Sequence, residues 1–472
     1  MINSWKALLC IMGVILVLAA CKPQQPPYKG TPVVDQTSAA STPVMKTLVP
    51  TKVPEVKGNI QKLNGLQIQF LHPWTAETSR VIDLLVDEFN QTNEWGIHVI
   101  VLAPGSAGLV AQEFREDAMK HRLFDVVAAP VSMVFSSDLQ KENILDLNPY
   151  VLSSKYGLNE AERNDFLPAF WDEDVVDGKR YGIPAQRTAA VIFYNVTWAS
   201  ETSFSENPET TTDFRKQVCA ANASMKTDND RSNDALGGWI VNTQAITMMS
   251  WFNSFDAIPT AKSVEKFESE KYAQAFEYLY HLQKDSCAWQ SRIPQPYDYF
   301  ANRQTLAYSG VMQDIMKQSA AFERSDNKDK WVILAYPSIG EYGDQRIISE
   351  GPSYTIVKSD SEQQLAAWLF IRWMASPAHQ ARLLQTSGTL PLGSKVLSLL
   401  SDFRSTYPQW NEVIPLLPVI KPAAPQANME TVKMVLEDAG WQLFRTEFKA
   451  DQIPALLTQL DETINELTGR TP

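Results

Sequence analysis

The sequence predicts an α/β fold built on a parallel sheet. Three observations carry this expectation: short runs with a period of two, longer apolar stripes at helical spacing between them, and strand starts about 30 residues apart, the length of a βαβ unit. Leu66-Gln67-Ile68-Gln69-Phe70 alternates apolar and polar residues, as a half-buried strand does. Val81, Ile82, Leu85, Val86 and Phe89 then fall on one face of a helix over 78–90. Residues 97–102 read as a second strand, 109–120 as a second helix and 124–128 as a third strand, an order that implies right-handed crossovers. The segment 177–184 places a turn before a short extended piece, and 189–194 is a buried apolar run. Residues 331–335 and 354–357 are further strands.

Helical patterns cover 261–284 and 361–374, the latter with Ala366, Leu369, Phe370 and Trp373 on one face. Ser376-Pro377 opens another helix by supplying an N-cap and a proline at the first helical position, and Gly388 ends it. Two C-terminal stripes follow. One comprises Met429, Val432, Val435 and Leu436 and stops at Gly440; the other comprises Ile453, Leu456, Leu457, Leu460, Ile464 and Leu467. No internal repeat is present, which argues against a solenoid or propeller.

At 472 residues with 44% hydrophobic and 20% charged side chains, the chain suits two or three globular domains and is neither disordered nor polytopic. Lys and Arg total 42 against 54 Asp and Glu, so the net charge of −12 lacks the basic excess that phosphate-backbone binding requires. Nucleic acid is thereby excluded as a partner. The 13 tryptophans serve as core filler or as flat platforms for a ligand, and composition does not choose between these uses.

The N-terminus reads as an address. Residues 7–20 carry no charge and end in Leu18-Ala19-Ala20-Cys21, a run too short for the roughly 20 residues of a membrane span. Residues 1–20 are therefore expected to be a cleaved signal peptide. Leu-Ala-Ala-Cys also resembles the bacterial lipobox, which would make Cys21 a lipidated first residue anchoring the chain to the membrane; an ordinary secretory signal is the alternative. Residues 21–63 hold Pro23, Pro26, Pro27, Pro32, Pro43, Pro50 and Pro54 among Ser, Thr and Gln, a composition suited to a tether. Cys219 and Cys287 then remain for the exported domain, and either form one disulfide or stay as two buried thiols.

Four segments in order resemble the extracellular solute-binding proteins of family 1, the sugar-binding components of ABC importers that include the maltodextrin-binding proteins. They are Ile68 to Trp74 with the following helix and strand; Phe124-Asp125-Val126-Val127; Gly178 to Pro184 continued by Val191-Ile192-Phe193-Tyr194-Asn195; and Gly351 through Trp368 and Trp373-Met374 to Ser376-Pro377, Gln380 and Gly388-Thr389-Leu390-Pro391. The resemblance implies a two-lobe, periplasmic-binding-protein-like fold of type II, with the ligand in a cleft between lobes joined by a hinge that the chain crosses several times. Lobe one would comprise 64–190 and 340–395, and lobe two 191–339 and 396–472. Crossings would fall at 188–194, between 337 and 348, and just after Leu392. The implied function is an extracytoplasmic, lipid-anchored, monomeric binding protein that delivers a sugar or oligosaccharide to an ABC permease.

Family contacts lie at strand ends and at the loops facing the cleft. On that pattern the expected ligand-binding residues are His72 and Trp74 after the first strand, Ser106 after the second and Ser132 after the third. Arg187 and Thr188 fall at the hinge, and Ser353 and Tyr354 follow the Gly351 turn. Lobe two would contribute Trp239, Thr243, Trp251 and Tyr308. Each has a plainer alternative: lobe packing for Trp74, the core for Trp251, a hinge ion pair for Arg187, and turn or surface hydrogen bonds for the Ser, Thr and Tyr residues. Met312 stands where family members often carry an aromatic residue.

Catalytic signatures are missing from the sequence. It contains no GxxxxGK[ST] or GxGxxG loop, no HExxH or CxxC pair and no GxSxG elbow, so no nucleotide, metal or other cofactor is expected. An anchored glycoside hydrolase, whose two carboxylates would come from distant strands, remains one alternative. A two-lobe binding protein for a non-sugar solute is another.

Overall fold

A computed structural model describes residues 55–120, 124–134, 142–257, 266–340, 347–422 and 429–469, all within the compact unit Lys52–Pro472. The expected signal peptide (residues 1–20), Cys21 and most of the proline-rich stretch lie outside the described residues. The packed region begins earlier than residue 64. Val56 and Ile60 pack against the first core, Leu63 is fully buried in it, and Lys62 pairs with Glu362 at 3.5 Å. The prolines stop at Pro54, and the apolar residues at 56, 60 and 63 bring the following segment onto the core.

The chain runs β1 (Gln67–Leu71), α1 (Ala76–Thr92), β2 (His98–Leu102), α2 (Ala107–Lys120), β3 (Val126–Ala129) and the single turn α3 (Val131–Val134). After α4 (Pro168–Glu173) come β4 (Ile183–Pro184) and the long β5 (Thr188–Asn195). Then follow α5 (Thr211–Thr227), β6 (Trp239–Ile240), α6 (Ala245–Ser254), α7 (Glu270–Lys284), β7 (Ala288–Trp289), β8 (Ala307–Val311), α8 (Asp314–Ser325) and β9 (Trp331–Leu334). The last part comprises β10 (Ile347–Glu350), β11 (Ser353–Ile356), α9 (Ser361–Met374), α10 (Pro377–Ser387), β12 (Ile420–Pro422), α11 (Met429–Leu443) and α12 (Ile453–Thr468).

Two sheets organise these elements. The first has five strands in the order β2-β1-β3-β11-β4; β2, β1 and β3 are parallel, while the returning β11 is inserted antiparallel between β3 and β4. The second has seven strands centred on β5, which pairs antiparallel with β8 on one side and with β9 and then β10 on the other. The central strand β5 is buried on both faces, whereas the edge strand β2 leaves His98, Ile100 and Leu102 exposed. In β5, Ala190, Ile192 and Tyr194 enter one core while Ala189, Val191 and Phe193 enter the other, which is why 189–194 reads as a continuous apolar run.

Strand pairing places the crossings. Thr188 already belongs to the second sheet, so the first crossing is at 185–187, ahead of the expected 188–194. Ile347–Glu350 pairs with β5 and β12, so lobe two continues to residue 350 and the return falls at Gly351-Pro352 instead of between 337 and 348. The sequence expectation placed the return too early because Pro337, Gly340 and Gly343-Asp344 offer turn signals ahead of this strand. The third passage follows Gly388, which ends α10 in the left-handed conformation at φ 70°, and runs through Leu390, whose N–H donates to the Arg187 carbonyl at 2.7 Å. Cys219 on α5 and Cys287 beside β7 are joined by a disulfide within lobe two.

Candidate functional site

A cavity of about 490 Å³ opens between the two sheets. Lobe one supplies Pro73, Ala107, Pro130 and Met133, from the loops and helices that follow β1, β2 and β3. This is the carboxyl-end crevice where open α/β sheets bind ligands. The crossings supply Gln186, Thr188, Gly351, Pro352 and Thr389, and lobe two supplies Gln244, Ala245, Ile246, Val311, Gln313, Glu350, Glu430, Lys433 and Glu437. A second cavity of about 340 Å³, walled by Trp95, Phe166, Trp373 and Lys395, lies away from β1 to β3 and receives nothing from the cleft-facing strand ends.

Three amides and three carboxylates give the cleft its chemistry. Gln186 accepts from the Trp74 indole N–H at 2.5 Å and donates to the Ser387 hydroxyl at 3.1 Å, so its position is fixed from both sides. The Thr188 hydroxyl donates to Gln313 Oε1. Glu430, Lys433 and Glu437 project from successive turns of α11. Lys433 Nζ lies 2.7 Å from Glu350 and 3.2 Å from Glu430 and is only 17% exposed. Burial opposes its charge, yet the two carboxylates outweigh that penalty and hold its pKa above the ordinary value. Glu437 accepts from the Ala245 N–H at 3.0 Å, which places its negative charge at the start of α6. Among the described residues, no aromatic side chain lines the cavity.

Behind the cavity, Arg187 holds the crossings together. Its fully buried guanidinium donates to Glu173 at 2.7 Å, to Asp174 at 3.3 Å, to the Ser353 hydroxyl at 2.9 Å and to the Gln186 and Pro352 carbonyls at 2.9 Å each. The Ser353 hydroxyl donates in turn to Asp174 at 2.7 Å. Two crossings and the end of α4 thus converge on one side chain. Burial is the main cause that raises both acids. It pushes Glu173 up to about 7, with Arg187 opposing and the Asp174 and Glu350 charges adding, and it raises Asp174 against the pull of Arg187. Gly351 fits here because a Cβ would collide with the Gln186 carbonyl.

The twelve residues expected from sequence are dispersed. Thr188 lines the cavity. Arg187 and Ser353 form the hinge cluster just described. Trp74, 8% exposed, packs edge-on near Phe70 and Tyr354 and anchors Gln186, so it offers no open face to a ligand. His72 is fully buried between Phe70 and Trp74, has no hydrogen-bond partner on either ring nitrogen among the described residues, and is held neutral by burial with a pKa of about 4. Trp251 lies in the lobe-two core against Phe214, Trp239 and Tyr336. Trp239 and Tyr308 are buried there too, the first donating to Ser309 at 3.2 Å and the second stacked on Phe193 at 4.4 Å. Tyr354 is buried in lobe one, and Met312 is buried as well. Ser106 is exposed and accepts from the Leu109 N–H at 3.1 Å, which makes it a helix cap. Ser132 sits between the lining residues Pro130 and Met133, and Thr243 precedes Gln244.

The amides and acids were missed because they belong to no alternating pattern. One signal was available: Glu430, Lys433 and Glu437 form a charged stripe beside the apolar stripe of the same helix.

The architecture is that of two α/β lobes facing one crevice. Residues 85–410 match the bacterial extracellular solute-binding protein family, and the chain belongs to that family. No curated protein matches the chain by sequence. Among solved structures it is similar to the sugar-binding protein MalE from the phytopathogen Xanthomonas citri (TM-score 0.70, 19% identity, 85% of this chain and 98% of that one). It is also similar to UgpB from Mycobacterium tuberculosis in complex with glycerophosphocholine (0.68, 13%, 85% and 98%) and to the Thermus thermophilus maltotriose binding protein (0.62, 13%, 85% and 99%). At these identities the likeness establishes the fold, and the family places the protein outside the cytoplasm.

Proposed function

We propose that the protein captures a sugar or oligosaccharide between its lobes and delivers it to the permease of an ABC importer, held at the membrane by a lipid on Cys21. The observation that carries this reading is the cleft itself, where the crossings and lobe two bring three amides, two threonine hydroxyls and three carboxylates around one cavity, opposite the apolar lobe-one residues Pro73, Ala107, Pro130 and Met133. Carboxylates and amide oxygens accept from sugar hydroxyls, amide N–H groups and the Lys433 ammonium donate to them, and closure of the lobes strengthens each bond by excluding water. Xanthomonas MalE and the Thermus protein, by their descriptions, bind sugars on the same fold. Among the described residues no helix is long and apolar enough to cross a membrane, so retention there would rest on the N-terminus.

Thermal unfolding of the mature protein against mono- and oligosaccharides, with polyamines and glycerophosphodiesters as controls, tests the ligand class. A ligand at a hundredfold excess over Kd stabilises by about 2.7 kcal/mol, a readily measured shift. Recovery of the sugar unchanged is expected. A response to the controls alone overturns the sugar assignment, and release of product from a chromogenic glycoside overturns the transport role. Mass analysis of the mature N-terminal peptide reads the Cys21 modification directly.

A further inference from the structure

The cavity of about 340 Å³ that lies away from the cleft has the composition of a site in its own right. Its aromatic walls come from three separate segments: Trp95 from the turn between α1 and β2, Phe166 from the segment ahead of α4, and Trp373 from the last turn of α9. Packing fixes two of these rings. Trp373 meets the His379 ring at a centroid distance of 3.6 Å and the edge of Phe89 at 5.5 Å, and Phe166 stacks on Trp171 at 4.8 Å. The buried Leu369 and Leu392 add apolar surface. Small-molecule sites have this form, about 300–1,000 Å³ of mainly apolar lining with a few polar groups that set orientation.

Four charged side chains also line the cavity, two of each sign. Asp165 and Arg372 are already engaged: the first accepts from the Ser394 hydroxyl at 2.6 Å and the Lys395 N–H at 3.1 Å, and the second donates to the Tyr156 carbonyl at 3.2 Å. The other two keep capacity. Lys395 Nζ reaches the Ala161 carbonyl at 3.5 Å and has no carboxylate partner among the described residues. Glu162 accepts from the Asn159 N–H at 2.7 Å with one oxygen, while its other oxygen lies 3.9 Å from Arg372, beyond hydrogen-bond distance. Ala161 and Glu162 are neighbours in the turn Glu160–Arg163, so an ammonium and a carboxylate come to adjacent positions of one wall without pairing with each other.

We propose that this cavity is a second ligand site, separate from the cleft, and that it takes a free aromatic amino acid. Lys395 receives the α-carboxylate, the unused oxygen of Glu162 receives the α-ammonium, and the ring lies against Trp95, Phe166 and Trp373. Such a ligand carries both charges on one carbon, which suits a cation and an anion at adjacent positions, and its net charge of zero suits a lining with two acids and two bases. Ring burial between aromatic walls supplies the affinity. The charged pair supplies the selection, because an aromatic acid would satisfy Lys395 but face Glu162, and an aromatic amine would satisfy Glu162 but face Lys395. The site makes no use of the cleft and stands whatever the cleft binds.

Calorimetric titration of the mature protein with L-phenylalanine, L-tyrosine and L-tryptophan tests this, with 3-phenylpropionate and 2-phenylethylamine as probes of one charge and L-alanine as the probe without a ring. Lys395→Gln and Glu162→Gln are the variants. Lys395 is exposed and glutamine at 162 keeps an acceptor for the Asn159 N–H, so both should melt with the wild type. At least one aromatic amino acid is expected to bind, with each probe of one charge about tenfold weaker or more and alanine not binding. Each variant should weaken the amino acid about tenfold, and Gln313→Ala, in the cleft, should leave its affinity unchanged. Binding of none of the three amino acids overturns the proposal. Equal affinity for 3-phenylpropionate or 2-phenylethylamine overturns the amino-acid class. Binding that survives in both charge variants but is lost in Gln313→Ala places the ligand in the cleft and overturns the second site.

Discussion

Glu173→Gln should make the protein more stable above neutral pH and remove a slope in its pH profile. Glu173 is 12% exposed and touches Arg187, yet burial, Asp174 and Glu350 together push its pKa from 4.5 to about 7. The native state therefore holds this proton more tightly than the unfolded chain does. Between pH 4.5 and 7 the native state binds more protons, so stability falls as pH rises through that window and levels off above it. At about 1.4 kcal/mol per tenfold change in proton affinity, the rise corresponds to about 3 kcal/mol. Glutamine keeps an acceptor for Arg187 Nε while resembling the protonated acid that the site prefers. Urea unfolding at pH 5, 6, 7 and 8 reads the effect. The variant should match the wild type near pH 4.5 and exceed it by up to about 3 kcal/mol at pH 8. A variant less stable than the wild type at pH 8, or one with the same slope, would refute the argument that burial outweighs the ion pair.

Arg187→Met leaves Asp174 and Glu173 buried without their cation and should lower stability by about 3–5 kcal/mol, read as a drop in urea midpoint; an unchanged midpoint would mean that the cluster does not hold the crossings. Replacing Cys219 and Cys287 by Ser opens a link between residues 68 positions apart and should lower stability by about 4 kcal/mol, matched by reductant acting on the wild type; equal midpoints with and without reductant would show that no bridge forms in solution. Lys433→Met leaves Glu350 and Glu430 facing each other and should destabilise by about 3 kcal/mol, whereas adding Glu350→Gln should recover much of the loss. Simple additivity in that double-mutant cycle would refute the pairing.

Sequence patterns revealed the fold further than the site. The alternation in 66–70, the apolar run 189–194 and the helix of 361–374 each report burial, and burial writes itself into residue type at a fixed period. The edge of lobe two was less legible, because Ile347–Glu350 is a short strand whose membership depends on pairing with Ala189, Thr188 and β12, partners remote in sequence. The resemblance to sugar-binding proteins directed attention to aromatic residues, and the structure buries Trp239, Trp251 and Tyr308 as core. Their spacing could not separate contact with a ligand from packing against Phe193 or Phe214.

The hinge cluster and the cleft meet at Glu350. This residue ends β10 at the return to lobe one, pairs with Lys433 in the cavity wall, and adds its charge to the field that raises Glu173 behind the hinge. A ligand hydroxyl that takes up part of Lys433 would leave Glu350 less neutralised, and Glu173 would then hold its proton more tightly. Protonated Glu173 draws less on Arg187, which is the side chain tying the 185–187 crossing to the Gly351-Pro352 crossing. Occupancy of the cleft is therefore expected to act on the electrostatics of the hinge through one carboxylate. The same coupling requires ligand binding to take up a fraction of a proton near pH 7 in the wild type and none in Glu173→Gln, a difference that calorimetry in two buffers of unequal ionisation enthalpy measures directly.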